Sequence, residues 1–177
     1  MSVLKIYQYP SPHLREVCEP VVDFNAGFQK QIDDLIATMY GASGSVGLAA
    51  PQVGFPIRVF VIDVAAKTTR DQLKVLINPR IIQQSRNKQV REGCLSFPEY
   101  LANVKRATRV TVEAQNREGE PVIYEVRDLE AIAVQHELDH LDGVLMIDRI
   151  NSLKTDWIRR QPRPAEEPAP TEPAPTE

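Results

Sequence analysis

Gln135-His136-Glu137-Leu138-Asp139-His140-Leu141-Asp142-Gly143 carries two of the chain's three histidines, four residues apart, with a glutamate directly after the first. On an α-helix, residues i and i+4 lie on one face a turn apart, so both imidazoles can converge on one cation. Glu137 is rotated off that line yet stays on the open side, where a carboxylate can take a proton from a metal-bound water. The stretch predicts two metal ligands and a base on a single helix. Buried without a metal, the same groups would need polar partners at a cost of roughly 1–3 kcal/mol each, so a hydrogen-bonded histidine pair is the weaker reading.

Leu129, Ile132 and Ala133 lead into His136 and His140 at helical spacing, and Val134, Leu138, Leu141 and Leu145 form a second apolar stripe. A helix apolar on two sides is a buried one. Asp128 is expected as its N-cap and Gly143 as the residue just past its end. Upstream, residues 25 to about 40 place Phe28, Ile32, Leu35, Ile36 and Met39 at the same period, an amphipathic helix with Asn25 as its cap. Strands come between. Residues 57–64 are almost continuously β-branched or aromatic, and 73–82 continue in that style except for Pro79, which marks an edge or a bulge. Val110, Val112 and Ala114 alternate with polar residues, as do Val122, Tyr124 and Val126 beyond a turn at 116–121, giving a hairpin with one buried face. The fold class is therefore α+β: antiparallel or mixed β-sheets packed around a buried HExxH helix near the C-terminus, with an amphipathic helix near the N-terminus. Residues 150–160 read as a short helix with Leu153 and Trp157 on one side.

The 177 residues, 42% of them hydrophobic, suffice for one core, and residues 1–160 are expected to form one catalytic domain. Residues 161–177 repeat Pro, Ala, Glu and Thr without an apolar anchor and are expected to be disordered. There is no apolar run of about 18 residues, and the first dozen residues lack the regions of a signal peptide. A cytoplasmic protein without a membrane partner is the expectation. A net charge of −3 argues against broad nucleic-acid binding.

A catalytic site of this kind needs a third protein ligand and an open position. Cys94, within Glu92-Gly93-Cys94-Leu95-Ser96, and Cys18 are the soft donors on offer, so CysHis₂ and Cys₂His sets both fit. His13 and Cys18 sit in irregular sequence with no ligand partner at a recognisable spacing and read as structural or surface residues. Ser45-Val46-Gly47-Leu48-Ala49-Ala50-Pro51-Gln52 is a run of small residues ending in an amide. It reads equally as a loop packed for its own sake or as a place where an extended peptide lies close to backbone, with Gln52 offering N–H donors.

Taken together, the stretches 45–52, 92–96 and 135–140 resemble, in order and spacing, the three signature motifs of the peptide deformylases, and the resemblance runs over about residues 4–150. It implies an α+β fold and a hydrolase that removes the N-formyl group from formyl-methionyl nascent polypeptides, releasing formate, with a metal-bound water as nucleophile. It also implies one divalent metal per chain, Fe²⁺ with Zn²⁺, Ni²⁺ or Co²⁺ as substitutes, held by Cys94, His136 and His140. Glu137 would serve as general base and then acid. The Gln52 side chain and the Leu95 backbone N–H would bond the formyl oxygen as it becomes an oxyanion. Two positions depart from the family pattern: Ser45 stands where glycine is usual, and Leu101 where many bacterial members have an arginine that helps hold the peptide. The ribosome near its exit tunnel is a further implied partner, approached in many members through a C-terminal helix that is short here.

Leu129, Ile132 and Ala133 lie one and two turns before His136 on the ligand face, which predicts an apolar pocket suited to a methionine side chain. The peptide backbone is expected to lie extended between Ser45-Val46-Gly47 and Glu92-Gly93 in the manner of strand addition, with weak dependence on later residues. Other HExxH classes fit less well. A metzincin needs a histidine where Met146 stands, a gluzincin glutamate would fall near Glu166, and a closed structural site needs neither Glu137 nor Gln52.

Overall fold

One strand buried on both faces organises the chain, whose computed structural model describes residues 2–161. In β2 (Val59–Ile62) all four side chains are buried. Val59 and Val61 face the helix α1 (Ala26–Gly41), while Phe60 and Ile62 face the helix α2 (Asp128–Leu141). A strand covered by a helix on each side reads as an unbroken apolar run, which is why 57–64 does not alternate. The tail expected to be disordered lies, from residue 162 onward, outside the described residues.

Six strands form the sheet among the described residues. β1 (Gly47–Ala49), β2, β3 (Lys74–Cys94), β4 (Phe97–Gln115) and β5 (Pro121–Arg127) follow one another as neighbours, and every pairing is antiparallel. A parallel contact occurs as an isolated bridge between Glu19 and Ile57. The expected α+β class and the α1 boundaries agree with the structure, and the Asn25 side chain accepts a hydrogen bond from the Phe28 N–H at 3.0 Å. Pro79 does mark a bulge: the β3–β4 register shifts between Ile77 and Arg80. No helix among the described residues is long and apolar enough to cross a membrane.

Three local readings are corrected. Asp128 is the first residue of α2 with φ +48°, and Arg127 is the cap position without a side-chain cap bond. β5 runs straight into α2 there, and the reversal is taken up by a left-handed residue, a conformation aspartate tolerates better than most. Leu145 is buried but lies past the helix end, in the cluster with Met146 and Leu14. Residues 150–160 do not form one helix: α3 covers only Leu153–Asp156, and Trp157–Arg159 is a strand, β6, paired with Tyr100–Ala102 of β4. So short a helix has little stability alone, whereas Trp157 stacks on Tyr100 at 4.9 Å and meets the edge of Phe97 at 5.2 Å.

α2 is fixed to the sheet by Gln135. Its Oε1 accepts from the Ala107 N–H at 3.0 Å and its Nε2 donates to the Ala107 carbonyl at 2.8 Å, so one amide satisfies both backbone groups of a β4 residue. Gly143 ends the helix at φ +68°, and a Cβ there would lie 2.6 Å from the Arg15 carbonyl oxygen. Gly143→Ala combines a left-handed backbone with a backbone clash and is expected to cost about 2 kcal/mol or more in urea unfolding. A loss of only a few tenths would mean that the Arg15 segment yields freely.

Candidate metal centre

Two periodicities meet at the site. Glu92 and Cys94 are two apart near the end of β3, so both project to the same buried face of the strand. His136 and His140 project from the facing side of α2. The donor atoms of Cys94, His136 and His140 all lie within 4.8 Å of one another, with Cys94 Sγ 3.2 Å from His140 Nε2. Cys18 is elsewhere, buried at the end of α2 where its N–H bonds the Leu141 carbonyl, and burial pushes its thiol up to about 11. Of the two open ligand sets, CysHis₂ is the one brought together.

The donor set fits a divalent cation. Tetrahedral sites with metal–sulfur near about 2.3 Å and metal–nitrogen near about 2.0 Å space their ligand atoms by roughly 3–4 Å, the spacing seen between Cys94 and His140. Burial raises the Cys94 thiol, but His140 and His136 beside it outweigh burial and hold it well below its usual range, in the thiolate form a metal needs. The Ser96 N–H also points at Cys94 Sγ, at 3.4 Å.

A chain of charges, buried from Glu92 to Asp139, stands behind the three donors. His136 Nδ1 meets Glu92 Oε2 at 2.9 Å, leaving Nε2 toward the centre. Arg106 donates to both Glu92 oxygens, at 2.7 and 3.1 Å, and to Asp139 Oδ2 at 2.7 Å. Arg149 closes the line on Asp139 with contacts of 2.6 and 3.0 Å. Burial raises the Glu92 carboxyl, yet His136 and Arg106 more than offset it and bring it down to about 2. Glu92, expected beside the peptide, lines the cavity while its side chain reaches into this chain of charges. Arg106, Asp139 and Arg149 were missed. The signal was present in the alternation Ala102, Val104, Arg106, which points an arginine inward and so demands a buried counter-ion.

Glu137 lies at the floor of a cavity of about 490 Å³. Its Oε2 is buried without a hydrogen-bond partner, and burial pushes its carboxyl up to about 7. A Cβ on Gly47 would come within 2.6 Å of Glu137 Oε1, so only glycine there leaves the carboxylate its place. Gln52 Oε1 accepts from the Ala49 N–H at 2.9 Å, which aims Nε2 at Ser96 Oγ, 3.1 Å away, and toward Cys94 Sγ at 3.6 Å. The amide is thus held as a donor beside Cys94. Leu95, Val46, Gly47, Gly93, Leu129, Ile132 and Ala133 all line the cavity, with Ala133 buried and Leu129 half exposed at the mouth. Ser45 lines it too, although its hydroxyl is turned to the Gly47 carbonyl at 2.7 Å. It has no left-handed backbone, so the serine there meets no conformational penalty.

A family model described as polypeptide deformylase matches residues 3–156. The chain belongs to that family. It is 45% identical over 163 residues to a peptide deformylase of Acidobacterium capsulatum, a match covering 92% of this chain and 95% of the relative. It is 47% identical over 161 residues to peptide deformylase 2 of Vibrio cholerae, covering 91% and 94%. A crystal structure of a peptide deformylase from Legionella pneumophila superposes with a TM-score of 0.82 at 38% identity, covering 86% of this chain and 89% of that one. One from Thermotoga maritima does so at 0.79 and 40%, covering 86% and 100%. As a member of this family the chain is a metallohydrolase that removes the N-formyl group from nascent peptides.

The Glu92–Arg106–Asp139 chain should matter twice over. Glu92→Gln is expected to weaken metal affinity by about 10–100-fold, measured by chelator competition, because His136 loses the acceptor that sets its tautomer. It should also cost roughly 3 kcal/mol of stability near neutral pH by leaving Arg106 half paired. A carboxyl held down to about 2 contributes fully above its ordinary value of 4.5 and loses its contribution as the pH falls toward 2, so wild type and variant should converge there. Equal stability of the two at pH 7 would remove Glu92 from the energetic frame of the site.

Proposed function

We propose that Cys94, His136 and His140 hold one divalent metal, Fe²⁺ in the resident form with Zn²⁺, Ni²⁺ or Co²⁺ able to take its place, and that Glu137 moves the proton in deformylation. The observation that carries the reading is the buried, unpartnered Glu137 Oε2 at the floor of a cavity whose floor also bears Cys94 and His136. A buried carboxylate oxygen without a partner is costly unless something polar arrives to meet it. When bound, the cation supplies Lewis-acid activation of water near neutral pH.

The remaining work falls to the chain's own groups. Glu137 accepts a proton from the attacking water and delivers it to the departing amine nitrogen, a role suited by a pKa near the working pH. Gln52 Nε2 is already aimed beside Cys94 and, with the Leu95 backbone N–H, donates to the formyl oxygen as charge develops on it. Leu129, Ile132 and Ala133 receive the methionine side chain, which brings no charge into an apolar wall. β1 ends the sheet with one edge unpaired, so Ser45, Val46 and Gly47 can take an extended peptide opposite the Gly93 backbone. We assign this activity to residues 1–160 as one catalytic domain acting in the cytoplasm on nascent chains. Among the described residues the last helix, α3, spans four residues, and no ribosome contact is assigned to it.

Release of formate from formyl-Met-Ala-Ser by anaerobically purified protein tests the reading, and metal analysis of the same sample tests Fe²⁺. Glu137→Gln should keep the metal and lose about 10²–10⁴-fold in kcat, since it preserves shape but removes the proton acceptor. Gly47→Ala should do nearly the same by displacing the unaltered carboxylate. Retention of normal turnover by both variants would take Glu137 out of the chemistry. For the pocket, Ala133→Phe should penalise formyl-Met peptides more than formyl-Ala peptides in kcat/KM, and equal losses would place the side-chain pocket elsewhere.

A further inference from the structure

The mouth of the cavity carries three cations from three separate parts of the chain: Lys67 from the loop after β2, Arg91 from β3 and Arg160 just beyond β6. All three are exposed, and none forms an ion pair among the described residues. The neighbouring carboxylates are already engaged. Glu92 is taken by Arg106 and His136, and Glu99 by Arg159 at 3.1 Å. Glu137 lies on the cavity floor, so among the described residues the mouth itself is left positive although the chain as a whole carries −3.

Arg160 is the most firmly placed of the three. Its N–H bonds the Glu99 carbonyl at 2.7 Å and its Nε lies 3.4 Å from the Tyr100 carbonyl, so the pairing of β6 with β4 carries it to the cavity. Its guanidinium fills the space where a side chain on Gly93 would stand. The charge therefore sits beside the backbone segment along which the peptide is laid. An extended chain advances about 3.3 Å per residue, so the residues after the formyl-methionine are carried outward from the floor toward the mouth. On the Lys67 side a second cavity of about 400 Å³ shares Ser43, Gly44, Ser45 and Lys67 with the first, and Arg70 adds a further cation to its lining.

We propose that this site selects formylated peptides bearing a carboxylate at the second or third residue after the formyl-methionine, with Arg160 as the principal specificity contact and Arg91 and Lys67 in support. The inference rests on the deformylase reading and replaces the expectation of weak dependence on later residues. Unpaired cations at the rim of a concave site gain most from an opposite charge carried in by the ligand.

The test compares formate release by metal-replete, full-length protein from formyl-Met-Ala-Glu-amide and formyl-Met-Ala-Lys-amide at low ionic strength. Amidation leaves the third side chain as the difference in charge. The glutamate peptide should be favoured in kcat/KM on the order of fivefold, carried by KM, which is what one or two screened surface pairs supply. The ratio should fall toward one at about 1 M salt, where the screening length is about 3 Å. Arg160→Ala should narrow it strongly, whereas Arg160→Lys should keep much of it. Equal values for the two peptides, a preference for lysine, or a preference that persists in the combined Lys67→Ala, Arg91→Ala, Arg160→Ala variant would each overturn the proposal while leaving deformylation standing. Failure to release formate from either peptide would overturn both.

Discussion

Arg106 joins the two halves of the site. Its guanidinium lies buried between Glu92 on β3 and Asp139 on α2, so the strand that brings Cys94 and the helix that brings both histidines are tied through one planar fork. A bidentate pair of this kind fixes angle as well as distance. Replacing such a buried triad wholesale by apolar groups is often neutral in stability, whereas removing one member leaves an uncompensated charge. Its value here is positional: Glu92 orients His136, and Asp139 follows from where α2 must lie for His140 to reach Cys94.

Beside this tie the end of β3 departs from ordinary strand behaviour. Between Cys94–Phe97 and Gly93–Leu101 the hairpin register shifts, opening backbone on the β4 side. β6 pairs with Tyr100–Ala102 along the other edge of β4, which β5 leaves open beyond Arg109, covers Phe97 and Tyr100 with Trp157, and delivers Arg160 to the cavity mouth. The bulge re-aims the end of β3 toward the cavity, and the free edge of β4 takes up the last described strand.

Glycine acts at two points for the same steric reason. Gly47 yields the space taken by the Glu137 carboxylate and Gly93 the space taken by Arg160. One places a carboxylate at the cavity floor, the other a cation at its rim. An acidic protein can in this way present a positive entrance to a reacting centre without changing its net charge, because specificity follows the local field more than the total.

Period alone was enough for α1, for the two-sided burial of α2 around its HExxH core, and for the β4–β5 hairpin. Each of these repeats an apolar side chain at a fixed interval, and burial of that face is local enough to be read along the chain. The convergence of His136 and His140 with Glu137 beside them was legible for the same reason, since their geometry is set within one helix. Other features were decided between elements. The choice of Cys94 over Cys18 depends on which strand end faces α2, and the inward turn of Glu92 depends on Arg106 arriving from β4. Residues 150–160 have helical composition, yet the open edge of β4 and the stack of Trp157 on Tyr100 outweigh a propensity that is weak over so few residues. Arg160 could be recognised as part of the cavity only once that strand had formed, because nothing within its own segment says which backbone it will lie against.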